Sequence, residues 1–197
     1  MNFEYADGAT PLCTEDIAGL LPRHIATQSQ LNEWEHANIL LAEKWAYARK
    51  HRDLLSIPFL CLLHKKMFDQ TWSWAGKFRT SQTNIGVEWH QISTTLKLLC
   101  DDINYHCINK SYPPDELAVR FHHRLVSIHP FSNGNGRHAR IMANLLAIYL
   151  GERQFSWGLS SKIASLSTTG ILRKQYLEAL RKADNGDIAP LLLFARL

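Results

Sequence analysis

One twelve-residue segment concentrates the side chains and glycines that could do chemistry. Residues 129–140 read His-Pro-Phe-Ser-Asn-Gly-Asn-Gly-Arg-His-Ala-Arg. Gly134 and Gly136 flank Asn135 and allow backbone conformations that point successive N–H groups into one concavity. A helix that begins at Asn135 would add the partial positive charge of its N-terminus. The segment therefore predicts a cradle for an anion.

The same segment supplies two cations and a base. Arg137 and Arg140 are three residues apart, so on a helix both guanidinium groups could reach one polyphosphate. His129 precedes Asn135 by six residues, and an imidazole of ordinary pKa can accept a proton from a hydroxyl at neutral pH. Phe131 is apolar and is predicted to turn inward and pin the loop to the core. The alternative is a glycine-rich turn that only connects two helices.

The rest of the chain predicts a helical bundle that positions this segment. The first helix is expected between Ser29 and Lys50, with a buried face of Leu31, Trp34, Asn38, Leu41, Trp45 and Ala48. Further helices are expected from Pro58, over 94–109, over 114–128, from Asn135 to a Gly151 cap, around Tyr176, and over 190–197. Only residues 78–87 look extended, which predicts one small β-hairpin on an all-α body.

Length and composition limit the class of protein. The chain has 197 residues, of which 46% are hydrophobic and 20% charged, and this excludes disordered and fibrous classes. We expect a leader over 1–25 and one domain over 26–197. The net charge of +4 is small and spread out, so direct nucleic-acid binding is not expected. The four cysteines lack zinc spacing, and no signal peptide or membrane span is recognisable, which favours a soluble, cytoplasmic protein.

The segment 129–140 resembles the motif of the Fic family, His-Pro-Phe-x-(Asp/Glu)-Gly-Asn-Gly-Arg-x-x-Arg. Residues 72–79, Trp-Ser-Trp-Ala-Gly-Lys-Phe-Arg, resemble the approach to the family's flap hairpin. Tyr176 to Leu180 and Asn185 to Asp187 resemble its C-terminal helix and turn. Within the family the chain is most similar to the small bacterial proteins called mobile mystery protein B. The resemblance implies the Fic fold, an all-α bundle with a small β-hairpin flap.

The resemblance also implies an activity, which is the transfer of AMP from ATP to a Ser, Thr or Tyr hydroxyl of a target protein. His129 would then be the general base. Gly134, Asn135 and Gly136 would hold the α- and β-phosphates through their backbone. Arg137 would bind the phosphate chain and Arg140 the γ-phosphate. The flap, 79–87, would dock the target protein as an added strand.

Two positions depart from the family pattern. Asn133 stands where many Fic proteins have an Asp or Glu that holds Mg²⁺, so it offers a neutral carbonyl oxygen at the magnesium position. The resemblance still implies Mg²⁺ as a cofactor, bound more weakly at Asn133 and carried largely by the phosphates of ATP. The inhibitory pattern (Ser/Thr)-x-x-x-Glu-(Gly/Asn) has one near match, Ser29 to Trp34, which makes Glu33 a candidate inhibitory residue. Otherwise restraint would come from a small antitoxin, in a bacterial toxin–antitoxin module.

Two alternatives to AMP transfer stay open at this point. One is a Fic-fold phosphotransferase or the transfer of another nucleotidyl or phosphate group. The phosphorylating Doc branch has Lys in place of the second motif glycine, whereas this chain has Gly136. The other is an inactive module that binds a nucleotide or a partner, for example a helix-turn-helix regulator.

Overall fold

A computed structural model describes residues 13–48, 50–158 and 170–197 of the protein. Helices hold most of the described residues, as the sequence predicts. Their helices are α1 (Thr14–Ala18), α2 (Gln28–Tyr47), α3 (Ile57–Phe68), α4 (Ile92–Asn109), α5 (Pro114–Ile128), α6 (Asn135–Tyr149), α7 (Gly170–Asp184) and α8 (Ala189–Arg196), with a 3₁₀ turn at Trp89–Gln91 before α4. None of these helices is long and apolar enough to cross a membrane.

Local sequence signals set the helix starts. Thr27 and Gln30 form a capping box at the start of α2, in which each side chain bonds to the other residue's backbone N–H. At α3 the Ser56 hydroxyl accepts a bond from the Phe59 N–H, and Pro58 occupies the first turn. These caps satisfy N–H groups that have no partner inside the helix.

The buried face of α2 differs from the predicted one. It consists of Leu31, Glu35, Asn38, Ala42 and Ala46. Trp34 and Leu41, which the periodicity places inside, are 37% and 67% exposed. The helix is rotated so that a carboxylate, Glu35, faces the interior, where it meets the site described below.

The loop 129–134 connects the two most central helices, α5 and α6. α5 packs against α4, α6 and α8, and α6 also contacts α2 and α3. Their core includes Phe121, Leu125, Met142 and Leu146, each at most 1% exposed. The loop 129–134 between them is therefore held at both ends by well-packed helices.

Part of the predicted leader contacts this body. Asp16, in α1, accepts a bond from the Ser132 hydroxyl at 2.8 Å, and its carbonyl accepts one from the Trp74 indole at 3.0 Å. Leu20 and Trp72 form an isolated antiparallel bridge. Residues 1–12 of the leader lie outside the described residues.

Residues 78–87 do not form the predicted β-hairpin, and no strand occurs in the ranges that the structure describes. We call residues 79–87 the flap segment. The N–H groups of Arg79 and Val87 donate to Pro130 and Ile128 rather than to each other, at 3.0 and 3.3 Å. The Arg79 guanidinium donates hydrogen bonds to the carbonyls of Ser81 and Val87. The backbone N–H and C=O groups at the two ends of the flap segment thus bond to the loop after α5 and to the Arg79 side chain, not to each other. A pattern of residue types does not predict such partners.

Candidate active site

His129 follows the last residue of α5 in a left-handed conformation, with φ 54° and ψ 60°. Such a φ is uncommon for a residue other than glycine and points to a constrained position. The residue is only 6% exposed. Burial and the nearby Arg79 charge lower the pKa of His129 to about 4, and a hydrogen bond with the Val126 backbone opposes the shift. The imidazole is therefore neutral at pH 7 and able to accept a proton.

The loop after His129 is held by the side chain of Asn135. Its Nδ2 donates to the Phe131 carbonyl at 2.7 Å, and its Oδ1 accepts from the Phe131 N–H at 2.9 Å. Asn135 is 3% exposed, so its side chain supports the loop rather than facing a ligand. Phe131 is fully buried, as the sequence predicts.

Gly134 and Gly136 have different reasons to be glycine. Gly134 has φ 78°, and a Cβ there would lie 2.5 Å from the Phe68 ring. Gly136 lies in the first turn of α6, where a Cβ would meet nothing closer than the Tyr176 hydroxyl at 3.7 Å. α6 has no side-chain cap at its N-terminus. The first-turn N–H groups of α6 are thus available to an anion.

A buried histidine, His64, lies beneath the loop. Its Nδ1 accepts a bond from the Gly76 N–H at 2.9 Å, which places the proton on Nε2, and Nε2 donates to the Asn133 carbonyl at 3.0 Å. The ring stacks on Phe131 with centroids 3.7 Å apart. Burial lowers the pKa of His64 well below its usual value. This neutral imidazole fixes the loop from below.

Arg137 is held by an acidic residue far away in the sequence. Its Nη1 donates to Glu35 Oε2 at 2.6 Å, and the guanidinium lies 5.0 Å from the centroid of the Phe68 ring. The other carboxylate oxygen of Glu35 accepts a 2.7 Å bond from the Trp72 indole. The side chain of Arg137 is 32% exposed, so it is only partly covered by these contacts.

Arg140 faces a second cluster, formed with α5 and α7. Its guanidinium lies 5.5 Å from the Tyr176 ring and hydrogen-bonds the Tyr176 hydroxyl, which also contacts His122 Nε2 at 2.9 Å. Burial lowers the pKa of Arg140, and the charges of Arg137 and Arg173 act in the same direction. Three guanidinium groups therefore act on one region, which suits a ligand with several negative charges.

The remaining predicted residues lie apart from this cluster or face into the loop. Glu33 is exposed on α2, and its carboxylate accepts a bond from the Ser29 hydroxyl at 3.4 Å. The Asn133 side-chain oxygen accepts the Gly134 N–H and lies 3.4 Å from Arg137 Nη2. The structure thus brings Glu35, and not Glu33, to an arginine of the motif.

Four buried histidines give the fold a pH dependence. Burial lowers the pKa of His122 to about 3 and those of His129 and His138 to about 4, and it lowers the pKa of His64 as well. Below pH 6.5 these histidines bind protons in the unfolded chain but stay neutral in the folded chain. The free energy of unfolding is therefore greatest above pH 6.5 and falls as the pH drops toward 4.

We expect a loss of about 2 kcal/mol for each of His122, His129 and His138 between pH 7 and pH 5. Urea unfolding at the two pH values measures it. An exposed histidine contributes nothing to this loss, so His36→Ala should leave the difference between the two pH values unchanged. Equal free energies of unfolding at pH 7 and pH 5 would contradict the expectation.

Comparison with known proteins identifies the family to which the loop and its neighbouring helices are similar. Residues 54–147 match the model of the Fic/DOC family. This segment belongs to the Fic/DOC family. The matched Fic/DOC segment includes α3 to α5, the flap segment, the whole loop and most of α6. Glu35 and Tyr176, which contact its two arginines, come from helices on either side of it.

Relatives of the Fic/DOC segment extend the comparison. A protein adenylyltransferase, fic-1, of Caenorhabditis elegans is 29% identical over 74% of this chain and 27% of its own length. A probable protein adenylyltransferase of Sinorhizobium fredii is 24% identical over 92% of this chain and 91% of its own length. The N-terminal Fic domain of a putative cell filamentation protein from Bartonella quintana, with bound ADP, is 18% identical, covers 88% of this chain and 86% of its own, and superposes with a TM-score of 0.68.

These comparisons establish the Fic fold. The chain spans about a quarter of the length of several of the curated animal relatives it matches.

Proposed function

We propose that the protein is a protein adenylyltransferase that transfers AMP from ATP to a Ser, Thr or Tyr hydroxyl of a target protein. One arrangement carries the proposal: the loop 129–134 joins a buried neutral imidazole, His129, to an uncapped helix N-terminus whose helix carries two arginines. The curated relatives that carry the name protein adenylyltransferase support the same activity.

The chemistry needs one proton removed and one bond exchanged at phosphorus. The neutral imidazole of His129 takes the proton from the target hydroxyl. The hydroxyl oxygen then bonds to the α-phosphorus as the bond to the leaving pyrophosphate breaks. The backbone N–H groups of Gly136 and its neighbours, together with Arg137 and Arg140, stabilise charge on the phosphates.

A magnesium site at Asn133 does not fit the residues present. Its side-chain oxygen already accepts the Gly134 N–H and faces the Arg137 guanidinium. A cation would be repelled there, and a neutral amide oxygen is a weak ligand for Mg²⁺. Among the described residues no group of three or more His, Cys, Asp or Glu could hold a metal. The proposed steps are therefore assigned to side chains and backbone alone.

Target docking along the flap segment is part of the proposal. Residues 80–82 and 84–86 are exposed, and their backbone groups other than the Ser81 and Ile85 carbonyls can pair with an extended stretch of another protein. A separate restraining protein is also compatible with the site, because the Glu33 carboxylate contacts Ser29 rather than the arginines.

Intact-mass analysis tests the activity directly. The purified protein is incubated with ATP, alone and in a cell lysate, beside a His129→Ala variant. We expect addition of one AMP to the protein itself or to lysate proteins, and none with the variant. Addition of a single phosphate would instead assign the site to phosphoryl transfer. No modification of any protein would overturn the proposal.

A further inference from the structure

Arg79 connects the flap segment to the end of α5 through an unusually complete set of hydrogen bonds. Its Nε donates to the His129 carbonyl at 2.8 Å, and its Nη1 donates to the Ser81 carbonyl at 2.9 Å. Its Nη2 donates to the Val87 carbonyl. All three guanidinium nitrogens are thus bonded to backbone carbonyls.

The backbone continues the same connection. The Arg79 N–H donates to Pro130 and the Val87 N–H to Ile128. Together with the bond from Arg79 Nε, the flap segment satisfies the carbonyls of three consecutive residues, 128 to 130. These carbonyls belong to the end of a helix, where they lack intrahelical partners and carry partial negative charge. A guanidinium is therefore well suited to this position.

Close packing leaves the flap segment little freedom toward His129. A Cβ on Gly86 would lie 2.7 Å from the Cβ of His129 and 2.8 Å from Arg79 Nη2. Arg79 is only 3% exposed, although Ser81 and Gly86 beside it are exposed. One buried side chain thus fixes an exposed edge at contact distance from the proposed base.

We propose that Arg79 is a positioning residue that sets the distance and register between a target backbone docked on the flap segment and His129. The proposal rests on the proposed function, because it gives the flap segment the role of holding the target. Arg79 bonds to neither Arg137 nor the first turn of α6, so its removal should affect transfer to the target and spare the binding of ATP.

The variants separate geometry from charge. Arg79→Gln removes both the three guanidinium nitrogens and the charge. Arg79→Lys keeps the charge, but its three donors sit on one nitrogen and cannot span carbonyls that the guanidinium reaches from three separate nitrogens. Gly86→Ala keeps Arg79 and pushes the flap segment away from His129. Arg124→Gln is the control, since Arg124 is an exposed arginine of α5 that pairs with Asp102.

Two measurements use the full chain. In the first, ATP labelled in the α-phosphate gives the rate of label incorporation into lysate protein and the KM for ATP. We expect kcat for incorporation to fall about 10- to 100-fold in all three site variants, with the KM for ATP within about twofold of wild type. The control should match wild type in both. A KM for ATP that rises in step with the fall in kcat would overturn the positioning role.

The second measurement is amide hydrogen exchange, which needs neither ATP nor a target. We expect the amides of Arg79 and Val87 to lose protection in Arg79→Gln and Arg79→Lys, while the amides of α5 and α6 stay protected. Unchanged protection in the flap segment would overturn the proposal. If wild type incorporates no label, the proposed function fails, and the exchange result still decides whether Arg79 holds the flap segment.

Discussion

Replacing His129 by alanine is expected to lower the rate of AMP transfer by roughly 10²- to 10⁴-fold, the usual contribution of a general base. His129 is buried and neutral at pH 7, and the loop 129–134 joins it to the first turn of α6, where we propose that the phosphates bind. The loss should appear in the initial rate of label transfer from ATP.

A second substitution separates chemistry from folding. His129 has φ 54°, and asparagine tolerates this conformation better than alanine does. His129→Asn should therefore fold close to wild type and lose as much activity as His129→Ala. His36→Ala, at an exposed histidine of α2, should keep full activity. Transfer by His129→Asn within tenfold of wild type would remove His129 from the role of base.

Replacing Glu35 by glutamine is expected to lower the free energy of unfolding by about 3 kcal/mol. Glu35 is 4% exposed, and its two oxygens bind the Arg137 guanidinium and the Trp72 indole. Glutamine can still accept the indole N–H, but it then turns an NH₂ group toward the cation. The estimate is at the lower end of the range for a broken buried pair because a third of the Arg137 side chain is exposed.

Glu33→Gln is the matched control for this prediction. Glu33 lies two residues away on the same helix and is exposed, with a weak bond from Ser29. We expect its free energy of unfolding to stay within about 0.5 kcal/mol of wild type. Urea unfolding of both variants at pH 7 makes the comparison. Equal effects of the two substitutions would show that the buried pair does not stabilise the fold as its geometry indicates.

The sequence alone identifies those candidate site residues that lie close together along the chain. His129, Phe131 and the two motif arginines lie within twelve residues, and the glycines that shape the loop are among them. The helical fold also follows from the sequence, because apolar periodicity and capping residues mark most of the helices. The Asn135 side chain is different, since its residue type does not show that it bonds to the Phe131 backbone instead of to a ligand.

The sequence is insufficient where partners are far apart along the chain. Arg137 and Glu35 are separated by 102 residues, Asn133 and His64 by 69, and His129 and Arg79 by 50. Nothing in the residue types predicts these pairs. Glu35 carries a signal only in retrospect, because it follows Leu31 by four residues on the buried face of α2.

The flap segment fails prediction for a related reason. Polar turn residues between two extended runs are typical of a hairpin, and the arms were expected to bond to each other. In the structure one long side chain, Arg79, takes the carbonyls of both arms. Whether the two ends of the flap segment pair with each other depends on which other side chains and loops lie close to them in the folded chain.

The connection of α5 to α6 by the loop 129–134 has a consequence for the order of folding. These two helices are neighbours in sequence, so their docking closes a short loop at little entropic cost. We expect the loop to acquire its shape early, while the partners supplied by Glu35, His64 and Arg79 arrive over longer chain distances. A chain that is still folding would then form the loop between α5 and α6 before it forms the edge of the flap segment, so under the proposed function the anion site would exist before the surface for a target.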